Sequence, residues 1–280
     1  MRRVVVSTFV VLGVLGAAAF TPAVVATRTV RVAGVERHYR LHVPDALPNG
    51  PAALVVAFHG AGATAARQER ASGLSALADR AGFVVVYPEG RDRRWAADAA
   101  DEAFVRAVVA DVERRVRVDP RRVYAAGVSN GATMAERAAC GMGDLFAAVA
   151  TVAGVYRAGE SCAAPDPVPV LAIHGARDRL APLDGRTAAP ARRPVAAWVS
   201  AWAARNGCAP SPAEVDGPAV STRAWGGCTS GADVVLDVLW TAGHGWPGDP
   251  TDPAVRDAPF DASGAIWAFF AAHPMRGAGA

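Results

Sequence analysis

Short apolar runs recur along this chain, and each one ends in a cluster of small or polar residues. Several runs show no alternation of apolar and polar positions, as expected for strands buried on both faces of a sheet. These runs cover residues 53–58, 83–87, 123–126, 146–152, 168–173 and 233–240. Between them, apolar residues recur at helical spacing in residues 67–82, 103–118, 132–140, 195–206 and 262–272. The alternation predicts an α/β fold with a mostly parallel central sheet and helices on both faces.

The two ends of this pattern differ from its middle. Residues 29–32 and 37–43 alternate apolar with polar positions around a turn at Gly34, which predicts an antiparallel hairpin at a sheet edge. Residues 210–230 are rich in Gly, Pro and Ser and are predicted to be a loop. Asp261 is a candidate N-cap for the last helix. No second-domain boundary interrupts the pattern, so we expect one catalytic domain over residues 27–274 and a loose tail over 275–280.

The first residues have the pattern of a secretory signal. Arg2 and Arg3 precede an apolar run over residues 4–20, and Val24 and Ala26 suit cleavage after a small residue. We therefore expect residues 1–26 to be a signal peptide, the mature protein to be secreted, and no membrane association after cleavage. A retained membrane anchor is the alternative, because the uncleaved run nearly reaches bilayer thickness.

Charge excludes several classes of function. The formal charge is +3 and falls by two, to +1, if Arg2 and Arg3 leave with the leader, which argues against nucleic-acid binding. All 29 basic residues are arginine. A chain without lysine makes neither a P-loop lysine contact nor a Schiff base with pyridoxal phosphate.

The cysteines indicate disulfides rather than a metal site. They are Cys140, Cys162, Cys208 and Cys228, with no Cys-x-x-Cys pair and no histidine cluster at ligand spacing. Three connectivities are open. We favour Cys140 with Cys162 and Cys208 with Cys228, because each pair closes a short local loop.

The sequence Gly-Val-Ser-Asn-Gly at residues 127–131 is the strongest chemical signal. It follows an apolar run and opens a helical segment, so it predicts a sharp strand-to-helix turn with Ser129 exposed as a nucleophile. The positions two before and two after the serine must be small to avoid clashes, and both are glycine.

A serine nucleophile needs a histidine base and a carboxylate that orients the base. If the three residues follow one another along the chain in the order Ser, acid, His, the candidate bases are His244 and His273. We favour His244 because it lies between glycines just after a buried strand. Asp178 follows another buried strand and is the favoured acid, with Asp184 as the alternative.

Two backbone N–H groups should hold the oxyanion of an acyl-transfer intermediate. The residue after the serine and the loop after an early strand normally supply them, which indicates Asn130 and Ala61. No segment is long enough for a large lid, so the cleft should be open. Trp246 and Trp95 are predicted to line it, and a structural role for both is the alternative.

The chain resembles the secreted polyhydroxybutyrate-depolymerase-like esterases, which are α/β hydrolases similar to feruloyl and acetyl-xylan esterases. The motifs that carry the resemblance are the His59 loop, Tyr87-Pro88, Trp95, Asp101-Glu102 before Phe104, the serine motif, Ala139-Cys140, residues 174–178 and residues 244–248. The resemblance implies the triad Ser129, Asp178 and His244 and similarly placed cysteines. The chain departs from the usual pattern at Ala132, Ala61 and Glu102, and the first two changes bear on oxyanion geometry.

The predicted activity is that of a secreted serine esterase working through an acyl-enzyme, without a metal or organic cofactor. The expected substrate is an ester on a polymer: a polyhydroxyalkanoate-like polyester or an acetyl or feruloyl ester of a polysaccharide. An acyltransferase with the same triad and a noncatalytic polymer-binding relic are the alternatives.

Overall fold

The computed structural model describes residues 26–157, 162, 166–186 and 192–275. These residues form ten strands and six helices. The strands are β1 (Ala26–Val32), β2 (Val35–His42), β3 (Ala52–Phe58), β4 (Val84–Pro88), β5 (Val118–Val128), β6 (Ala148–Val152), β7 (Val170–Gly175), β8 (Ala213–Asp216), β9 (Val220–Trp225) and β10 (Val234–Leu239). The helices are α1 (Ala65–Ser72), α2 (Leu74–Ala81), α3 (Ala99–Glu113), α4 (Asn130–Gly141), α5 (Val195–Arg205) and α6 (Ala262–Ala272).

All ten strands join one sheet, in the order β1-β2-β4-β3-β5-β6-β7-β10-β9-β8. The six strands from β4 to β10 in this order pair in parallel. Antiparallel strands flank them on both sides, β1 and β2 at one edge and β9 and β8 at the other. The predicted mostly parallel sheet and its edge hairpin are therefore confirmed.

The two faces of the sheet bury separate apolar clusters. Leu54, Val56 and Phe58 of β3 pack on one face with residues of α3, α4 and α5. The alternate β3 residues, Ala53, Val55 and Ala57, pack on the other face with α1, α2 and α6. Because successive side chains of a strand point to opposite faces, an unbroken apolar run is what such a strand requires.

Two predicted helices differ in their bounds. The segment predicted as one helix over 67–82 is two helices, since Gly73 adopts a left-handed conformation (φ 61°) and caps α1 with its N–H on the Glu69 carbonyl. Helix α3 begins at Ala99 rather than 103, because the Asp98 carboxylate accepts hydrogen bonds from the N–H groups of Ala100 and Asp101. The predicted Asp261 cap of α6 is confirmed by its hydrogen bond from Gly264 N.

The prediction of a loop over residues 210–230 is wrong. Strands β8 and β9 form an antiparallel hairpin there, and β9 pairs with β10. All four residues of β8 are exposed, so the strand lacks the apolar face that would mark it in the sequence.

The four cysteines form two disulfides, Cys140–Cys162 and Cys208–Cys228, which is the pairing that the sequence favours. The second joins the chain just after α5 to the turn after β9. In the described residues, no helix is long and apolar enough to cross a membrane.

The two ends of the chain fall largely outside the described residues. The predicted signal peptide lies there apart from Ala26, which begins β1. Of the predicted tail, Met275 donates its N–H to the Arg121 carbonyl, and residues 276–280 lie outside the described part.

Candidate active site

Ser129 lies at the sharp turn between β5 and α4. Its backbone has φ 56° and ψ −117°, a strained conformation for a residue with a side chain. A Cβ atom at Gly127 would lie 2.1 Å from the Gly131 carbonyl oxygen, and one at Gly131 would lie 2.3 Å from the Phe58 carbonyl oxygen. The turn therefore requires both glycines, for the steric reason that the sequence indicates.

Ser129, His244 and Asp178 form one chain of hydrogen bonds. His244 Nε2 lies 2.9 Å from Ser129 Oγ, and His244 Nδ1 lies 2.7 Å from Asp178 Oδ2. An ionised carboxylate only accepts hydrogen bonds, so Nδ1 carries the proton and Nε2 is free to accept the serine proton. The three residues follow β5, β10 and β7, whose carboxyl ends lie at the same edge of the sheet.

The two oxygens of Asp178 have different partners. Oδ2 contacts His244, while Oδ1 accepts the N–H groups of Leu180 at 2.9 Å and Ala181 at 2.7 Å. Burial raises the pKa of Asp178, but the hydrogen bonds from His244 and Ala181 outweigh burial and hold the pKa below its ordinary value. The carboxylate therefore stays ionised and fixed in orientation. Asp184, the alternative acid, is exposed and accepts a hydrogen bond from Arg186 N instead.

His174 supports Asp178, a role that no motif in the sequence indicates. Its ring is buried, and Nε2 donates to the Ala181 carbonyl at 2.7 Å and lies 3.6 Å from Asp178 Oδ2. Burial lowers the pKa of His174, which favours the neutral ring. Its position at the end of a buried strand, four residues before the acid, was the available signal.

Asn130 and Ala61, the predicted oxyanion donors, lie on the two segments that meet at the serine. Asn130 is the first residue of α4, where backbone N–H groups have no partner within the helix. Its side-chain amide accepts from Trp95 N at 2.7 Å and donates to Trp95 O at 2.9 Å. Ala61 is exposed, and a Cβ at the preceding Gly60 would lie only 3.5 Å from Ser129 Cβ. The loop after β3 therefore passes directly beside Ser129.

His59 fixes this loop and was not singled out as a functional residue. Its Nε2 accepts the Gly90 N–H at 2.9 Å, so Nδ1 carries the proton and donates to the Gly60 carbonyl at 2.8 Å. Burial lowers the pKa of His59. A neutral ring thus joins the loop after β3 to the chain after β4.

The prediction that Trp95 and Trp246 line the cleft is wrong. Trp95 is 1% exposed, meets the Phe58 ring edge-to-face, stacks against Phe104, and donates from Nε1 to the His59 carbonyl at 3.0 Å. Trp246 is 2% exposed and donates from Nε1 to Ser263 Oγ at 3.1 Å. Trp95 packs in the apolar cluster on one face of the sheet and Trp246 in the cluster on the other, so neither presents a face to a substrate.

The family model described as "Esterase PHB depolymerase", where PHB is polyhydroxybutyrate, matches residues 37–191. The chain belongs to this esterase family. The matched region contains Ser129 and Asp178 but ends before His244, so the assignment of the base depends on the hydrogen-bond geometry. As a member of the family, the chain is a carboxylic ester hydrolase.

Curated relatives of the chain are esterases and depolymerases. The chain is 39% identical to the putative esterase NocK of Nocardia uniformis subsp. tsuyamanensis over 82% of its own length and 77% of that protein. It is 29% identical to feruloyl esterase C of Emericella nidulans, over 84% of each chain. Identity to poly(3-hydroxyalkanoate) depolymerase C of Paucimonas lemoignei is 36%, over 40% of this chain and 30% of the depolymerase.

A solved structure shows the same fold. The acetyl xylan esterase from Aspergillus awamori aligns with a TM-score of 0.61 and 18% identity, over 79% of this chain and 94% of that one. The likeness shows that the esterase has an α/β-hydrolase fold. No group of three or more His, Cys, Asp or Glu that could hold a metal ion occurs among residues 26–157, 162, 166–186 and 192–275.

Proposed function

We propose that this esterase is an exported serine hydrolase that cleaves carboxylic esters through an acyl-enzyme at Ser129. The observation that carries the proposal is the unbroken hydrogen-bond chain from Asp178 through His244 to Ser129 Oγ. A serine hydroxyl is a poor nucleophile at neutral pH, and this chain supplies the base that activates it. The catalytic domain would cover residues 27–274.

The reaction has two steps. Ser129 Oγ attacks the ester carbonyl while its proton passes to His244 Nε2, and His244 then gives that proton to the departing alcohol oxygen. In the second step water attacks the acyl-enzyme carbonyl while His244 takes a proton from it. His244 then returns that proton to Ser129 Oγ as the bond to the acyl group breaks, which releases the acid and restores the serine. Asp178 orients the imidazole and stabilises its protonated form.

The oxyanion would be held by the backbone N–H groups of Asn130 and Ala61. Support comes from their position on the two segments beside Ser129 Oγ, one at the start of α4 and one directly after Gly60. Preorganised donors of this kind stabilise the charge that develops on the carbonyl oxygen. The clamp of Asn130 on the Trp95 backbone would keep the start of α4 rigid during the reaction.

We infer that the substrates are polyesters of the hydroxyalkanoate type or acetyl and feruloyl esters of polysaccharides. The support is the family and the names of relatives, which include a feruloyl esterase and a poly(3-hydroxyalkanoate) depolymerase. Export is supported by the leader-like first residues and by two disulfides, which persist in oxidising compartments.

The test is a panel of esters measured with the wild type, Ser129→Ala and the control Ser200→Ala, which removes an exposed hydroxyl from α5. The panel contains 4-nitrophenyl esters of increasing chain length, methyl ferulate, acetylated xylan and short polyhydroxybutyrate. Ser129→Ala should lose activity on every ester that the wild type cleaves, and Ser200→Ala should keep it. Retention of wild-type kcat by Ser129→Ala would overturn the proposal. Adding glycerol as an acceptor and analysing the products would detect acyl transfer.

A further inference from the structure

A groove of about 550 Å³ lies between α4, the helix that begins directly after the nucleophile, and α5. Its lining includes Thr133 and Cys140 on α4, Trp198 and Trp202 on α5, and Arg193 just before α5. The volume falls in the range of small-molecule sites, and Ser129, Asp178 and His244 do not line the groove. The groove is therefore a separate feature that the reaction chemistry does not account for.

The groove begins beside the nucleophile. Thr133 is four residues after Ser129, which is one helical turn or about 6 Å along α4. Ala96, which also lines the groove, follows Trp95, whose backbone holds the side-chain amide of Asn130. A substrate whose ester carbonyl sits at Ser129 Oγ can thus extend one part into the groove.

The wall that carries Arg193 is fixed by packing and hydrogen bonds. Arg193 donates its backbone N–H to the Tyr156 carbonyl at 2.9 Å. The Tyr156 ring stacks on Trp198 with 3.8 Å between ring centroids, and the Trp198 indole donates to the Glu136 carboxylate. The backbone of Arg193 is therefore held in place before any ligand arrives, which reduces the entropy lost on binding.

Charge favours an anion in the groove. The lining contains three arginines, Arg137, Arg193 and Arg205, against one carboxylate, Glu136. Arg137 pairs with the Glu102 carboxylate, and Arg205 donates to the Cys162 carbonyl at 2.7 Å.

Arg193 differs from these neighbours. Its side chain is half-buried, and within the described residues its guanidinium makes no hydrogen bond or ion pair. A guanidinium has five N–H donors in a planar fork that matches a carboxylate. This group is positioned to meet an anion supplied by a ligand.

We propose that the groove is a binding subsite for a carboxylate carried by the substrate, with Arg193 as the carboxylate's partner. The substrate class is an ester whose acyl or alcohol part ends in a free carboxylate, as the end of a hydroxyacid oligomer does. The hydrocarbon part of the substrate, between the ester and the carboxylate, packs against Trp198 and Trp202. The inference rests on the proposed function, because it assumes that the ester reacts at Ser129.

The test uses two pairs of esters, each matched in size and differing in one charge. Mono-4-nitrophenyl adipate against its methyl ester places the carboxylate on the acyl side. The comparison of 4-acetoxybenzoate with its methyl ester places the carboxylate on the alcohol side.

The quantity measured is the ratio of kcat/KM for the charged ester to kcat/KM for the neutral ester. It is measured in wild type, Arg193→Gln, Arg193→Lys and Arg179→Gln. Arg179 is an exposed arginine next to Asp178, and its variant controls for general attraction of anions near the site.

For Arg193→Gln we expect the ratio to fall about tenfold in one of the two pairs, through KM, as for loss of one charge-assisted hydrogen-bonded pair. Arg193→Lys should keep part of the ratio, and Arg179→Gln should leave it within about twofold of wild type. The proposed subsite is contradicted if Arg193→Gln changes neither ratio, or if Arg179→Gln lowers the same ratio by an equal factor. Neutral esters report on the proposed function separately, since Ser129→Ala should abolish their hydrolysis whatever Arg193 does.

Discussion

At the scale of single residues, Asp178, the proposed acid, is the best-defined group of the site, because its two oxygens have separate hydrogen-bond partners. Oδ1 of Asp178 is held by two backbone N–H groups, and Oδ2 is left for His244. Asparagine at this position can keep the Oδ1 contacts while it loses the charge. The substitution therefore separates the chemistry of the carboxylate from its structural role.

We predict that Asp178→Asn folds normally and lowers kcat by roughly 10³ to 10⁴, because an amide donor favours the wrong imidazole tautomer and cannot stabilise the imidazolium. Asp184→Asn is the matched control, since its carboxylate is exposed and pairs with the N–H and the guanidinium of Arg186 rather than with His244. Both variants are measured on one soluble ester, with circular dichroism to confirm folding. A larger loss of kcat at Asp184 than at Asp178 would show that the acid is misassigned.

The burial of Trp246 gives a second prediction at this scale. Trp246→Phe removes the hydrogen bond to Ser263 and part of a buried ring, so the free energy of unfolding should fall by about 1–3 kcal/mol. KM for soluble esters should change less than about twofold, since the indole does not touch substrate. Trp240→Phe, at a 42% exposed position, is the control and should shift Tm less. A severalfold rise in the KM of Trp246→Phe at unchanged Tm would show that Trp246 contacts the substrate.

Some of these residues were predictable and others were not. Ser129 and His244 stand out because glycines flank each of them shortly after a strand, a context that packing alone does not demand. The tryptophans were misplaced because a large amphipathic ring suits a cleft and a core equally, and only the surrounding elements decide which one it meets. His59 and His174 are neutral, buried rings whose roles depend on hydrogen bonds to backbone carbonyls, and their positions at strand ends do not reveal those partners.

At the scale of elements, the central strands were predictable because burial on both faces leaves an unbroken apolar run. Breaks within helices were less predictable. Gly73 lies inside an otherwise continuous helical pattern, and its left-handed conformation ends α1 there. The β8–β9 hairpin was missed because β8 is exposed and is held mainly by pairing with β9 at the sheet edge. Edge pairing of this kind depends on tertiary context more than on local composition.

The disulfide of this hairpin gives a prediction at the scale of elements. Cys208–Cys228 ties the end of α5 to the turn after β9, across a sequence separation of 20 residues. Cys208→Ala with Cys228→Ala should lower the free energy of unfolding by roughly 3 kcal/mol through loop-closure entropy, and Tm by several degrees. Because β9 pairs with β10, which leads to His244, the site should loosen as well.

Differential scanning calorimetry of the double variant measures this effect. Free-thiol titration of the wild type, purified without reductant, is the control and should find no reactive thiol. Four reactive thiols, or an unchanged Tm in the double variant, would contradict the prediction.

At the scale of the whole molecule, the sheet order brings the site together. Strands β5, β7 and β10 are parallel and lie within four adjacent positions, so the loops that follow them meet at one edge although the three residues are far apart in sequence. The order of elements and the serine motif made this arrangement predictable. The groove beside α4 was not predictable from the sequence, because its walls come from α4, α5 and the chain after β4, and only the packing of these segments creates the space.

The central claim is that Ser129 is the nucleophile, and covalent labelling tests it most directly. The active protein is treated with a fluorophosphonate, digested with trypsin and mapped by mass spectrometry. Cleavage after Arg122 and Arg137 gives a peptide over residues 123–137 in which Ser129 is the one serine. We predict stoichiometric labelling of Ser129 in this peptide, loss of esterase activity in parallel with labelling, and no label in His244→Ala, which lacks the activating base. An unlabelled Ser129 in fully active protein, or a label on another residue that accounts for the lost activity, would contradict the account.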